Sequence, residues 1–261
     1  MKFNKKNLLI MSLFLTVTLL LSVTGMSFAQ AKEDSWAKVK KSGVLVVGFC
    51  ASYPPFESRK GNNQYEGFDV DLANALAKKL GVKTKFVDAE WQGLIPGLNK
   101  GDYDVLITCM GASEARGEQV IFSKPYYKMG SVILLNKNDK SIKGKADLKG
   151  KVVGVQLGTA DEMSAEKIKG IKELKRYNNP PEVIMDLKTR RIDAAIMGYA
   201  YALELKKKDK NIQILGPQFD TTDIVIVSNK NSQKLITSLN KALDQVVGDG
   251  TYQKIEAKWL K

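Results

Sequence analysis

From Val44 to Val227 the chain alternates short apolar runs with segments whose apolar residues recur at helical spacing. That alternation leaves few folds open. Val44–Phe49 reads as a strand. Asp69–Leu80 reads as a helix, with Val70, Leu72, Ala73, Leu76, Ala77 and Leu80 on one face and Gly81 as its stop. Lys83–Val87 is a strand, Gln92–Lys100 a short helix ended by Gly101, and Val105–Cys109 a strand. A second series follows Tyr127. Its strands are Ser131–Leu135, Val152–Val155, Leu174–Tyr177 and Ala194–Met197. Its helices begin near Ala160, at Pro180 with prolines in the first turn, and after Met197. Strands at Ile212–Leu215 and Ile224–Val227 and two closing helices complete the chain. The pattern predicts an α/β protein of two lobes, each a mostly parallel sheet flanked by helices. Lobe 1 takes residues 30–127 and 222–261, and lobe 2 takes 128–221. Strand-like crossings near Tyr127–Gly130 and Phe219–Asp223 form a two-strand hinge.

The amino terminus is set apart from this pattern. Lys2, Lys5 and Lys6 precede an apolar stretch from Leu8 to Val23, then Ser27-Phe28-Ala29. This is the layout of a cleaved signal peptide over residues 1–29, and it predicts a periplasmic or otherwise extracytoplasmic product. Removing its three lysines lowers the net charge from +13 to +10. The remaining lysines are scattered, without aromatic interleaving or a nucleic-acid motif, so no nucleic-acid partner is expected. The chain contains no histidine, which removes histidine acid–base chemistry, serine–histidine triads and most zinc sites. "GKADLKGKVV" lacks the spacing and the Ser/Thr of a phosphate loop. No cofactor and no metal are expected.

Five segments, in order and correctly spaced, resemble one family. They are "YPPFES" followed by "YEGFDVDLANALAKKLG", "AEWQGLIPGLNKGDYDVLI", "EQVIFSKPYY", "LKGKVVGVQLGT" and "GDGTYQKIEAKWL". The chain is similar to the bacterial solute-binding proteins of polar amino-acid ABC importers, solute-binding family 3. The resemblance implies a receptor, not an enzyme, whose two lobes close on one small carboxylate-bearing ligand. The partners it implies are that ligand and a membrane permease, and the receptor is expected to be a monomer. It also implies site residues. Tyr53 and Trp91 would sandwich the ligand. Arg116, in "GASEARGEQ", would fork onto the carboxylate, with Gly111, Thr159 and Ala160 completing that subsite and Cys109, Met110 and Gln156 beside it. Glu66, Gly67 and Asp69, near the lobe surface, read as structural.

Three positions depart from the family's usual pattern. Cys109-Met110-Gly111 stands where a threonine usually ends the strand, with Ser113 as the nearest hydroxyl. Cys50 stands where an aspartate is usual. Gly198 stands where an aspartate usually holds the ligand's ammonium, and a buried cation without an acceptor is strongly disfavoured. Either Asp161, Glu162 or Glu90 supplies the charge, or the ligand has no ordinary ammonium. In the second case Tyr199 and Tyr201, with Tyr53 and Trp91, would wall a methylated cation. Cys50 and Cys109 close two neighbouring strands of this fold. They are either a disulfide or two buried thiols. The runner-up function is a periplasmic dehydratase-like enzyme acting on a small carboxylic acid, which would need a positioned acid in the cleft.

Overall fold

The computed structural model describes residues 35–62 and 64–261; the signal segment expected over residues 1–29 lies outside them. The chain opens with helix α1 (Ser35–Ser42) and strand β1 (Val44–Phe49). A small antiparallel sheet follows, made of β2 (Ser52–Tyr53), β3 (Glu57–Gly61) and β4 (Gln64–Glu66). Next come α2 (Phe68–Leu80), β5 (Lys83–Asp88), a 3-10 turn (Trp91–Gly93) running into α3 (Leu94–Lys100), and β6 (Val105–Leu106). A one-turn helix α4 (Glu114–Gly117) leads into the long strand β7 (Val120–Asn136). The second series is β8 (Val152–Gln156), α5 (Ala160–Glu166), β9 (Glu173–Tyr177), α6 (Pro180–Lys188), β10 (Ala194–Gly198) and α7 (Tyr199–Lys208). The return strand β11 (Ile212–Asn229) and helices α8 (Gln233–Gly248) and α9 (Thr251–Trp259) close the chain.

One eight-stranded sheet runs in the order β5-β1-β6-β11-β7-β10-β8-β9. Its two ends, β5-β1-β6 and β10-β8-β9, are parallel, as the alternation predicts. Between them β7 and β11 run antiparallel for most of their length, with register shifts near Leu215, Phe219 and Val225. The pieces read separately at Ser131–Leu135, Ile212–Leu215 and Ile224–Val227 are therefore parts of two continuous strands that pass from one end of the sheet to the other. At the first end, α2, α8 and α9 cover one face through Leu72, Leu76, Leu235 and Leu239, while α3 covers the other through Leu94 and Leu98.

Two local devices fix the site's floor. Gly67 starts α2 at φ 138°, and a Cβ there would meet the Phe56 carbonyl oxygen at 2.0 Å, so only glycine allows this approach. The approach lets Asp69 N–H donate to Phe56 O at 2.9 Å and brings the first turn of α2 beneath β3. The second device is Cys109 in the left-handed region at φ 47°. The strand expected over Val105–Cys109 accordingly ends at Leu106, and the chain turns at Cys109 along the cleft.

Candidate functional site

A cleft of ≈ 580 Å³, open mouth included, lies where the two ends of the sheet meet. Of the residues expected there, Tyr53, Trp91, Cys109, Gly111, Arg116, Gln156, Thr159 and Ala160 line it. Met110, Gly198 and Tyr199 do not. Met110 is buried among Leu94 and Leu98, behind the wall, because successive residues of the strand exit point to opposite sides. Tyr199 packs beside β10 at the start of α7.

Arg116 sits on α4, whose N-cap Ser113 accepts its backbone N–H. The side chain is 8% exposed. Its Nη1 donates to Gly111 O, and its Nη2 donates to Gly158 O at 2.6 Å, across the cleft. Its guanidinium carbon lies 5.5 Å from the Trp91 ring centroid. Burial lowers its pKa to about 10, so it remains cationic at neutral pH. Among the described residues no carboxylate pairs with it. Two carbonyl dipoles therefore orient a buried cation whose charge is not neutralised, which is the arrangement expected of an anion receptor.

The acid on the opposite wall is Asp161, at the start of α5. It accepts the Ser131 hydroxyl at 2.6 Å. Burial raises its pKa to about 6, against the lowering effect of that bond and of the nearby Gly198 N–H. The other candidates are used elsewhere. Glu162 binds Arg176 and accepts the Gly158 N–H, while Glu90 precedes the Trp91 turn on the exposed side. Gly198 leaves a side chain no room unless its neighbours shift. A Cβ there would meet Tyr53 Oη at 2.5 Å and Met129 Cε at 2.6 Å. A side chain at 198 would require Tyr53 and Met129 to move, and of the three acids weighed for the ammonium Asp161 is the one that lines this cleft.

The aromatic wall differs from a simple sandwich. Tyr53 stacks on Tyr201, with ring centroids 4.5 Å apart and planes 8° apart, and its hydroxyl accepts the Gly198 N–H at 3.2 Å. One face of the Tyr53 ring is therefore occupied by protein, and Tyr201 lies behind it, outside the lining. The Trp91 indole N–H donates to Gly158 O at 3.2 Å, and Gln92 Nε2 donates to Leu157 O at 2.7 Å. The four-aromatic cage is not assembled.

Both cysteines line the cleft as free, buried thiols, and no disulfide joins them. Their side chains pack on opposite faces of the sheet, Cys50 with Leu94 and Leu98, Cys109 with Phe56 and Phe68. Burial pushes both thiols above their ordinary pKa, more strongly at Cys109. Between them lies a feature the sequence reading missed. Cys50 N–H donates to Thr108 Oγ1 at 3.1 Å, and Thr108 donates to Glu57 Oε1 at 3.0 Å. Asp69, placed near the surface by the sequence reading, is 1% exposed. It accepts Cys109 N–H and, at 3.0 Å, the Tyr126 hydroxyl. Glu57 follows the apolar Phe56 in a short hairpin, and no periodicity signals that it points inward.

A family model for bacterial extracellular solute-binding proteins, family 3, matches residues 45–261. The L-cystine-binding protein TcyJ of Escherichia coli K12 is 34% identical over 91% of each chain. ABC transporter arginine-binding protein 1 of the same organism is 34% identical over 82% of this chain and 89% of that one. Among solved structures, an ancestral arginine-binding protein bound to arginine is 40% identical, covering 84% of this chain and 99% of that one, with a TM-score of 0.80.

Proposed function

The chain belongs to the bacterial extracellular solute-binding proteins, family 3, and on that premise we propose that it is the receptor of an ABC importer for a zwitterionic α-amino acid. The observation that carries this reading is the pair of opposite charges in one cleft, Arg116 and Asp161, neither answered by an oppositely charged side chain among the described residues. A ligand carrying both a carboxylate and an ammonium neutralises both. Arg116 takes the carboxylate. Asp161 takes the ammonium, and Tyr53 and Trp91 bound the rest of the molecule. Lobe 1 is residues 30–127 with 222–261, lobe 2 is 128–221, and β7 and β11 are the hinge. The bonds from Trp91, Gln92 and Arg116 to Leu157 and Gly158 hold the cleft closed. The mature protein works as an extracytoplasmic monomer after removal of residues 1–29, and its closed form docks on a permease. The proteins found similar by sequence are named for binding cystine and arginine, which favours a receptor over a dehydratase-like enzyme.

Isothermal titration of the mature chain against a panel of α-amino acids and their deaminated carboxylates tests this. At least one amino acid is expected to bind, and its deaminated analogue to bind more weakly. If the deaminated carboxylates bind as tightly as the amino acids, Asp161 is not the ammonium acceptor. If no α-amino acid binds, the receptor reading fails.

A further inference from the structure

Among the described residues, two buried side-chain oxygens have no hydrogen-bond partner, and they are Glu57 Oε2 and Asp69 Oδ1. Their sister oxygens are engaged, Glu57 Oε1 by Thr108 and Asp69 Oδ2 by Cys109 N–H and Tyr126 OH. Glu57 and Asp69 are each 1% exposed, and Glu57 lines the cleft. Two adjacent carboxyls out of water cannot both ionise cheaply, whereas one proton held between them satisfies both orphan oxygens. The groups acting on them are each other, Cys50 at the end of β1, Thr108 and Cys109 after β6, and Tyr126 on β7; Tyr252 on α9 faces Asp69 from beyond Tyr126. None of these is cationic. Burial drives the Glu57 pKa well up and that of Asp69 to about 7.

We propose that Glu57 and Asp69 hold one proton between them under the cleft and release it when a ligand with a cationic side chain arrives, so that the pair favours cationic over neutral amino acids. The inference rests on the zwitterion reading and extends it. Once Arg116 and Asp161 are neutralised by the ligand's carboxylate and ammonium, the floor still carries the single charge of the pair. A cationic side chain near Glu57 lowers the cost of the second charge, and the proton passes to solvent. A neutral side chain leaves it in place.

The test is calorimetry of the mature chain with L-arginine and with its neutral near-isostere L-citrulline, in buffers of different ionisation enthalpy near pH 6.5. Asp161 gives up the same fraction of a proton to either ligand's ammonium, and about one proton more is expected to leave per L-arginine than per L-citrulline bound, so that L-arginine affinity gains about tenfold per pH unit on that of L-citrulline in that range. Glu57→Gln keeps a side-chain bond to Asp69 without the shared proton. It is expected to abolish that excess release and to weaken L-arginine more than L-citrulline. Equal proton release for the two ligands, or L-arginine binding without release, overturns the proposal. If neither ligand binds, the zwitterion reading has failed separately, and the pair is judged in the ligand-free protein. There a protonated-carboxyl infrared band must be present near neutral pH and lost in Glu57→Gln; its absence from the wild type overturns the shared proton.

Discussion

Two arginines act on the same residue, Gly158, one directly and one through an acid, and are treated differently. Arg116 donates to Gly158 O, while Arg176 binds Glu162, whose other oxygen accepts Gly158 N–H. Arg176 also reaches Glu166 at 2.8 Å, and its side chain is 42% exposed. Arg116 is buried and, among the described residues, its guanidinium meets two carbonyl oxygens and the Trp91 ring but no acid. The neighbouring acids repeat the contrast. Glu162 is answered by a guanidinium, whereas among the described residues no cation answers Asp161, which accepts the Ser131 hydroxyl. Charges that build the frame are neutralised on the spot. Charges that face the cleft are oriented but left uncompensated, a cost that a bound molecule carrying the opposite charges removes.

Truncating the two arginines is the strongest way to break this contrast. Arg116→Ala is expected to weaken amino-acid binding by about 100-fold or more, because it leaves the ligand carboxylate buried without its counter-charge. The same change should leave the ligand-free melting temperature unchanged or slightly raised, since it removes a desolvated charge that no acid balances. Titration calorimetry and thermal melts on one preparation check both halves. A variant that binds normally, or that melts far lower, would place Arg116 in the frame and erase the difference.

Asp161→Asn is the next largest effect, a loss of about tenfold or more for zwitterionic ligands. The pH dependence carries its signature. The Asp161 pKa is raised to about 6 in the folded protein. Its contribution to stability is therefore fullest below the unfolded carboxylate value and is lost as pH rises through about 6. Ligand binding runs the other way. Below about 6 the carboxyl is protonated and cannot hold an ammonium, so affinity falls as pH drops, and Asp161→Asn should flatten that fall. Returning an acid to position 198 in the Asp161→Asn background should not restore binding. Its Cβ would fall 2.5 Å from Tyr53 Oη, in a ring already stacked on Tyr201. Recovery of binding in the double variant Gly198→Asp with Asp161→Asn would show that Tyr53 yields and that the two positions are interchangeable.

The difference between frame and cleft was only half visible in the sequence. The alternation gives both parallel ends of the sheet because strands and helices there keep clean periods. It breaks β7 and β11 into pieces because their middles carry "SKPYYKMG" and "GPQFDTTD", polar stretches with bulged pairing. Arg116, Trp91 and Tyr53 were legible because they stand in recognisable segments. Glu57 and Asp69 were not, because their burial depends on the Gly67 approach to Phe56 and on bonds to Thr108, 51 residues from Glu57, and to Cys109, 40 residues from Asp69. Asp161 was one of three acids that the sequence could not rank. What ranks them is that Arg176 occupies Glu162 and that Glu90 lies outside the cleft lining, which only the fold determines.

The smallest expected effect is the sharpest control. Arg176→Ala removes two ion pairs but leaves Glu162 Oε2 on the Gly158 N–H, so the residue whose carbonyl Arg116 grips stays anchored. Ligand affinity should change by less than about threefold, in keeping with the small worth of solvent-exposed pairs. Because Glu162 then keeps a charge that no guanidinium answers, any residual loss should grow at low salt and shrink at high salt. Calorimetry at two ionic strengths measures this. A loss comparable with that of Arg116→Ala would mean that the Arg176–Glu162 pair sets the geometry of the anion subsite through Gly158, and the frame and the cleft would then be one electrostatic unit.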